Sequence, residues 1–164
     1  MQTIEVFSYK NILEIQVIDP AIFTTRNRIV YSRPIKIYQG IDNPIHVVAK
    51  NQDQKAVNLT GYVMTVEIQD PENEITVASY SVNFVTITKG LGTFVIPRDT
   101  VNALDQRHYQ LTARLINSAT NAENPLYIDD NYSVAVPLQV LSAYYSTDPI
   151  TPTLVEGIVD LGPL

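Results

Sequence analysis

Three stretches of this 164-residue chain repeat with a period of two. Tyr62, Met64, Val66 and Ile68 alternate with Val63, Thr65, Glu67 and Gln69. Tyr109, Leu111, Ala113 and Leu115 alternate with His108, Gln110, Thr112 and Arg114. Val134, Val136, Leu138 and Val140 alternate with Ser133, Ala135, Pro137 and Gln139. Successive side chains of a strand point to opposite faces, so this pattern sends one row into a core and the other toward water. Weaker alternations occur at Ile35/Ile37, Ile45/Val47/Ala49, Ile75/Val77, Val85/Ile87 and Phe94/Ile96. The stretches Asn51–Lys55, Asp70–Asn73 and Lys89–Gly92 each separate two such runs and read as hairpin turns. Seven or more short strands at near-regular spacing imply an all-β, antiparallel β-sandwich. The one helical interruption runs from Arg98 to Leu104. Asp99 or Thr100 is available to cap it, Val101 and Leu104 share a side, and the turn would carry the chain from one sheet to the other. Pro137, which lacks a ladder donor in mid-strand, marks an edge strand or a bulge.

The ends read differently from the middle. Every Lys and Arg lies at or before Arg114, and residues 1–114 carry 11 bases and 11 acids. Residues 115–164 carry Glu123, Asp129, Asp130, Asp148, Glu156 and Asp160 with no base, and so hold the entire net charge of -6. Three regions follow. Residues 1–33 form an extension with short strands and a basic patch at Arg26, Arg28 and Arg33. Residues 34–145 form the sandwich. Residues 146–164 form an acidic arm in which Pro149 and Pro152 preclude a regular helix. In that arm Ile150, Leu154, Val155, Ile158, Val159 and Leu161 are too apolar for a freely solvated tail. An arm of this kind docks on its own body or on a neighbour.

Chemistry is sparse. The absence of Cys excludes disulfides, thiolate metal sites and Cys nucleophiles. Two His and an acidic balance argue against a multi-His metal centre or a nucleic-acid surface, and no cofactor is expected. No apolar run of about 18 residues is present to span a membrane. The start Met1-Gln2-Thr3-Ile4-Glu5 lacks a signal-peptide pattern, so synthesis in the cytoplasm is expected. His46 and His108 sit on the polar rows of their strands. Asp129-Asp130-Asn131 and Asp42-Asn43 offer oxygens without calcium-loop spacing. Asn58-Leu59-Thr60 and Asn131-Tyr132-Ser133 match the glycosylation pattern without a secretion signal. Glu72 and Glu74 fall at a hairpin tip with nothing to dehydrate them. Tyr127, Tyr132, Tyr144 and Tyr145 lie at strand ends or loops, where tyrosines suit interfaces or a sugar-stacking platform.

Between Arg33 and Tyr145 the order of features resembles the Ig-like N-terminal domain of phage upper-baseplate proteins and a group of small virion proteins of tailed phages. The resemblance is carried by Ile35-Lys36-Ile37-Tyr38-Gln39-Gly40-Ile41-Asp42-Asn43-Pro44-Ile45, a strand, a turn and a strand. It continues in Lys55-Ala56-Val57-Asn58-Leu59-Thr60-Gly61-Tyr62 leading into Val63–Ile68, and in Gly92–Pro97 followed by the helical turn and Tyr109–Ala113. The glycine that the pattern places before Tyr109 is absent here. The resemblance implies an Ig-like sandwich in a non-enzymatic virion structural protein, of the tail or baseplate first, and of a capsid decoration or fibre attachment second. Its partners would be other virion proteins and copies of itself, in trimers or sixfold sets. The expected contacts are the six apolar arm residues, Arg26, Arg28 and Arg33, and strand pairing at a Pro137-bearing edge. The rival reading is a carbohydrate-binding module built on the four tyrosines.

Overall fold

The computed structural model describes residues 2–3, 5, 11–17, 34–51, 53–126 and 136–144. Within them the strands are β1 (Asn11–Gln16), β2 (Ile35–Gln39), β3 (Asn43–Lys50), β4 (Tyr62–Asp70), β5 (Ile75–Ser81), β6 (Asn83–Thr86), β7 (Leu91–Ile96), β8 (His108–Asn117), β9 (Glu123–Pro125) and β10 (Val136–Ser142). One short helix, α1 (Arg98–Asn102), lies between β7 and β8. A four-stranded sheet has the order β1-β3-β7-β6. A larger sheet has the order β2-β10-β8-β4-β5, with β9 alongside β8.

The alternating rows become the core. Ile45, Val47, Phe94 and Ile96 from the smaller sheet meet Met64, Val66, Ile68, Leu111, Leu138 and Val140 from the larger in one buried cluster. The fold is thus an all-β sandwich, as the period-two rows imply. Both sheets are mixed, because β1 runs parallel to β3 and β2 runs parallel to β10. Strand β1 comes from the N-terminal stretch 1–33, and its Leu13 and Ile15 are buried in this sandwich. The Asn11 side-chain amide donates to the Lys36 carbonyl (2.9 Å), which ties β1 to β2 across the two sheets.

Among the described strands the chain changes sheet five times, and the crossings into β8 and β4 are well anchored. α1 carries it from β7 to β8 as the sequence implies, with Val101 and Leu104 buried. Its N-terminal cap differs from expectation. Pro97 occupies the cap position, and the Asp42 carboxylate accepts from the Arg98 N–H (2.8 Å) from across the chain. In the turn before β4, Gly61 has a φ of 86°, a left-handed backbone that favours glycine there. Beside it the Asn58 carboxamide oxygen accepts from the Thr60 N–H and hydroxyl, and Leu59 is buried.

Three expectations change. Asn51–Lys55 does not join two paired strands. It returns for a single bridge, Lys50 to Ala56, after which the chain crosses to the other sheet. Ile75 and Val85 point outward rather than in, because their strands β5 and β6 carry register shifts at the sheet margins. Pro137 is not on an edge, since β10 lies between β2 and β8. The Val140 N–H donates to the Arg107 carbonyl on the β8 side. By alternation the Pro137 nitrogen faces β2, one residue before that pairing begins at Leu138. The missing donor therefore breaks no ladder bond.

Candidate functional site

The outer face of the β3–β7 pair is largely apolar. The register sets Pro44 beside Val95, His46 beside Thr93 and Val48 beside Leu91, and it sets Ile12 of β1 beside His46. Ile12 is 59% exposed, Val95 46% and Leu91 37%. No acid stands on the outward rows of β3 and β7. The nearest charges pair with each other at one corner, where Lys50 Nζ lies 3.2 Å from Glu14 Oε1. Beneath this face Gly92 allows the close approach of β6, for a Cβ there would lie 2.5 Å from Val82 Cγ1.

The outer face of the β4–β8 pair is largely polar and tied to itself, with Val63 (42% exposed) beside Ile116 at one end. The Arg114 guanidinium donates to Glu67 across the pair and to Glu123 of β9 (3.3 Å). Those two carboxylates, Glu67 first, push the Arg114 pKa further up. The Gln69 side chain donates to Glu67 Oε2 (3.1 Å) and accepts from the Thr76 hydroxyl (2.9 Å). Glu67, Thr112, Ala113, Arg114, Glu123 and Asn124 line a groove of about 310 Å³. Both of its acids, Glu67 and Glu123, are paired to Arg114, so it has no unpaired carboxylate for general acid or base work.

At one end of the same sheet, Arg107 donates to both oxygens of Asp70 (3.0 and 2.7 Å) and stacks over the Tyr109 ring at 4.3 Å. The Arg107 guanidinium holds the Asp70 carboxyl well below the usual carboxylate range. Burial opposes this, while the Asn73 side chain and the N–H groups of Glu72 and Asn73 reinforce it. The cluster closes the β4–β5 hairpin and is structural in its geometry.

Of the residues singled out from the sequence, His46 and His108 are exposed on separate sheets. Asp42 and Asn43 have their oxygens engaged by the fold. Asp42 caps α1, and Asn43 accepts from the Tyr38 N–H (3.0 Å) and donates to the Tyr38 and Ile41 carbonyls. Among the described residues no cluster of three or more His, Asp or Glu is spaced to hold a metal ion. Tyr144 is 98% exposed with a left-handed backbone (φ 63°). Tyr127, Tyr132, Tyr145, Asp129, Asp130, Asn131, the arginines Arg26, Arg28 and Arg33, and the arm residues Ile150, Leu154, Val155, Ile158, Val159 and Leu161 lie outside the described residues. The apolar face of β3–β7 went unmarked by sequence reasoning. A signal was present, since Leu91–Ile96 is apolar on both rows apart from Gly92 and Thr93.

No protein-family model matches the chain, and no curated protein matches it in sequence. Among solved structures, the N-terminal domain of phage TP901-1 ORF48 matches with a TM-score of 0.48 and 7% identity, over 80% of this chain and 98% of that one. No helix among the described residues is long and apolar enough to cross a membrane.

Proposed function

We propose that this chain is a non-enzymatic structural component of a tailed-phage virion, placed in the tail or baseplate, where it assembles with copies of itself and with other virion proteins. The family pattern in Ile35–Ile45, Lys55–Ile68 and Gly92–Ala113 supports the virion context. The observation that carries assembly is the unequal treatment of the two outer faces. One is largely polar, with its charged groups Glu67, Arg114 and Glu123 paired among themselves. The other presents Ile12, Leu91 and Val95, each more than a third exposed, with a single acid, Glu14 of β1, which is paired to Lys50. Apolar sheet surface of that kind gains free energy when a partner covers it, at roughly 25 cal/mol per Å² removed from water. The pairing of the described strand carboxylates Glu67 and Asp70 with arginines, and the separation of the two histidines, also favour a structural part over a catalyst.

The test is made on purified particles of the virus that encodes the chain. Peptide mass spectrometry should find it in a fixed ratio to the other structural proteins, and gold-labelled antibody should mark the tail end. Label on the head would move the protein to a capsid decoration. Absence from intact particles would sink the virion reading. Binding to a host glycan array with loss on Tyr144→Ala would revive the carbohydrate-binding reading instead.

A further inference from the structure

We propose that residues 146–164 of a neighbouring copy seat on the outer face of the β3–β7 pair. The inference rests on the assembly reading above and names the occupant of its surface. Three observations converge on it. First, among the described residues nothing covers the face, where Ile12 is 59%, Val95 46% and Leu91 37% exposed. Second, this segment begins two residues beyond Tyr144, and its Ile150, Leu154, Val155, Ile158, Val159 and Leu161 match the apolar character of the face. Third, the charges do not conflict. The segment carries Asp148, Glu156 and Asp160 and no base. The face carries no acid on β3 or β7, with His46 on its centre row, and its one acid, Glu14 of β1, is paired to Lys50.

The dimensions agree. Nineteen extended residues reach about 60 Å at roughly 3.3 Å each. Strands of 6, 8, 6 and 4 residues, spaced about 4.8 Å apart and rising roughly 3.3 Å per residue, present a face of roughly 380 Å². Covering it removes about 760 Å² counting both partners, the size of a weak contact that repetition around an assembly would reinforce. Pro149 and Pro152 limit regular ladder pairing, so the contact is side chain onto sheet face.

The seat requires a head-to-tail arrangement, because segment and face are different surfaces of one chain. Complementation between two full-length variants tests this. Leu91→Asp with Val95→Asp spoils the face and leaves the segment intact. Val155→Asp with Ile158→Asp does the reverse. Circular dichroism and thermal melting first establish that both are folded. In sedimentation equilibrium the wild type should self-associate, and each variant alone should do so at least about 100-fold more weakly, as expected for two carboxylates placed in an apolar contact. An equimolar mixture should recover dimers and stop there, since only one competent junction remains. If the Val155/Ile158 variant associates like wild type while the face variant does not, the occupant is wrong and the assembly reading stands. If the folded variants stay monomeric when mixed, pairing between copies is wrong. A wild type that is monomeric up to about 100 µM would remove the self-assembly reading along with this one.

Discussion

The β3–β7 pair and the β4–β8 pair lie in opposite sheets and contribute equivalent inward rows to one core. Ile45, Val47, Phe94 and Ile96 on one side are matched by Met64, Val66, Ile68 and Leu111 on the other. Their outward rows diverge. β4–β8 spends Glu67, Gln69, Thr112 and Arg114 on bonds within its own face and with β9. β3–β7 places Val48, Leu91 and Val95 where such groups would stand. A polar face satisfied internally needs no partner. An apolar one keeps an unfavourable contact with water until something covers it. In the proposed assembly, the difference separates the surface that ends the molecule from the one that continues into a neighbour.

The largest expected effects concern what the two pairs share. Ile96→Ala and Leu111→Ala each empty a fully buried site, and each should cost about 2–5 kcal/mol of unfolding free energy. Urea unfolding followed by circular dichroism should show one cooperative transition in both variants. A separate, earlier loss of the four-stranded sheet in Ile96→Ala would mean that the two pairs are not one core. Next in size is a matched charge insertion on the two outer rows. Val95→Asp should leave stability within about 0.5 kcal/mol while weakening self-association by about tenfold or more. Thr65→Asp, which faces Arg114 across β4–β8, should change neither. Equal effects on association would erase the distinction between the faces.

The strands and their inward rows were largely legible in the sequence, for identifiable reasons, whereas the apolar outer face was not. Where one row is apolar and the other polar, as in Tyr62–Gln69 and His108–Leu115, period two fixes both the strand and its inward side. That logic found β4, β8 and the inward rows of β3 and β10. It failed where neighbours rather than the strand decide. Ile75 and Val85 alternate correctly but sit at shifted margins, so nothing packs over them. Pro137 reads as an edge residue because its own row cannot reveal that the β2 pairing begins one residue later. The parallel pairings of β1 and β2 are long-range choices with no local code. The Asp70–Arg107 and Glu67–Arg114–Glu123 groups join residues 37 and 47 positions apart, which no spacing rule anticipates.

A pH titration sharpens the contrast further, because the larger sheet holds the acid-sensitive pair. The Asp70 pKa in the folded protein lies below its unfolded value of about 3.9, so the unfolded state takes up the proton first as pH falls. The stabilisation is therefore complete above that unfolded value and is lost progressively as pH drops below about 4. The urea midpoint of the wild type should fall more steeply between pH 4 and pH 2 than that of Asp70→Asn, with Asp70→Asn already the weaker at pH 7. Parallel curves would show that the bidentate contact with Arg107 contributes nothing specific.

The smallest effect separates charge from apolar contact on the β3–β7 face. Lys50 and Glu14 form a corner pair with side chains 37% and 46% exposed. Exposed pairs of this kind contribute about 0.2–1 kcal/mol, and Lys50→Met keeps the aliphatic stem, so unfolding should shift by no more than about 0.5 kcal/mol. Association has more to lose. If an acidic segment lies on this face, Lys50 is the strand cation closest to it, and its removal leaves Glu14 uncompensated at the rim. Lys50→Met should then associate about two- to threefold more weakly at low salt. The gap should close near 0.5 M salt, where screening acts over less than about 5 Å. The apolar share, carried by Leu91 and Val95, should persist or strengthen in that salt. Association that vanishes for wild type and variant alike at high salt would mean that charge, not the apolar rows, holds the copies together.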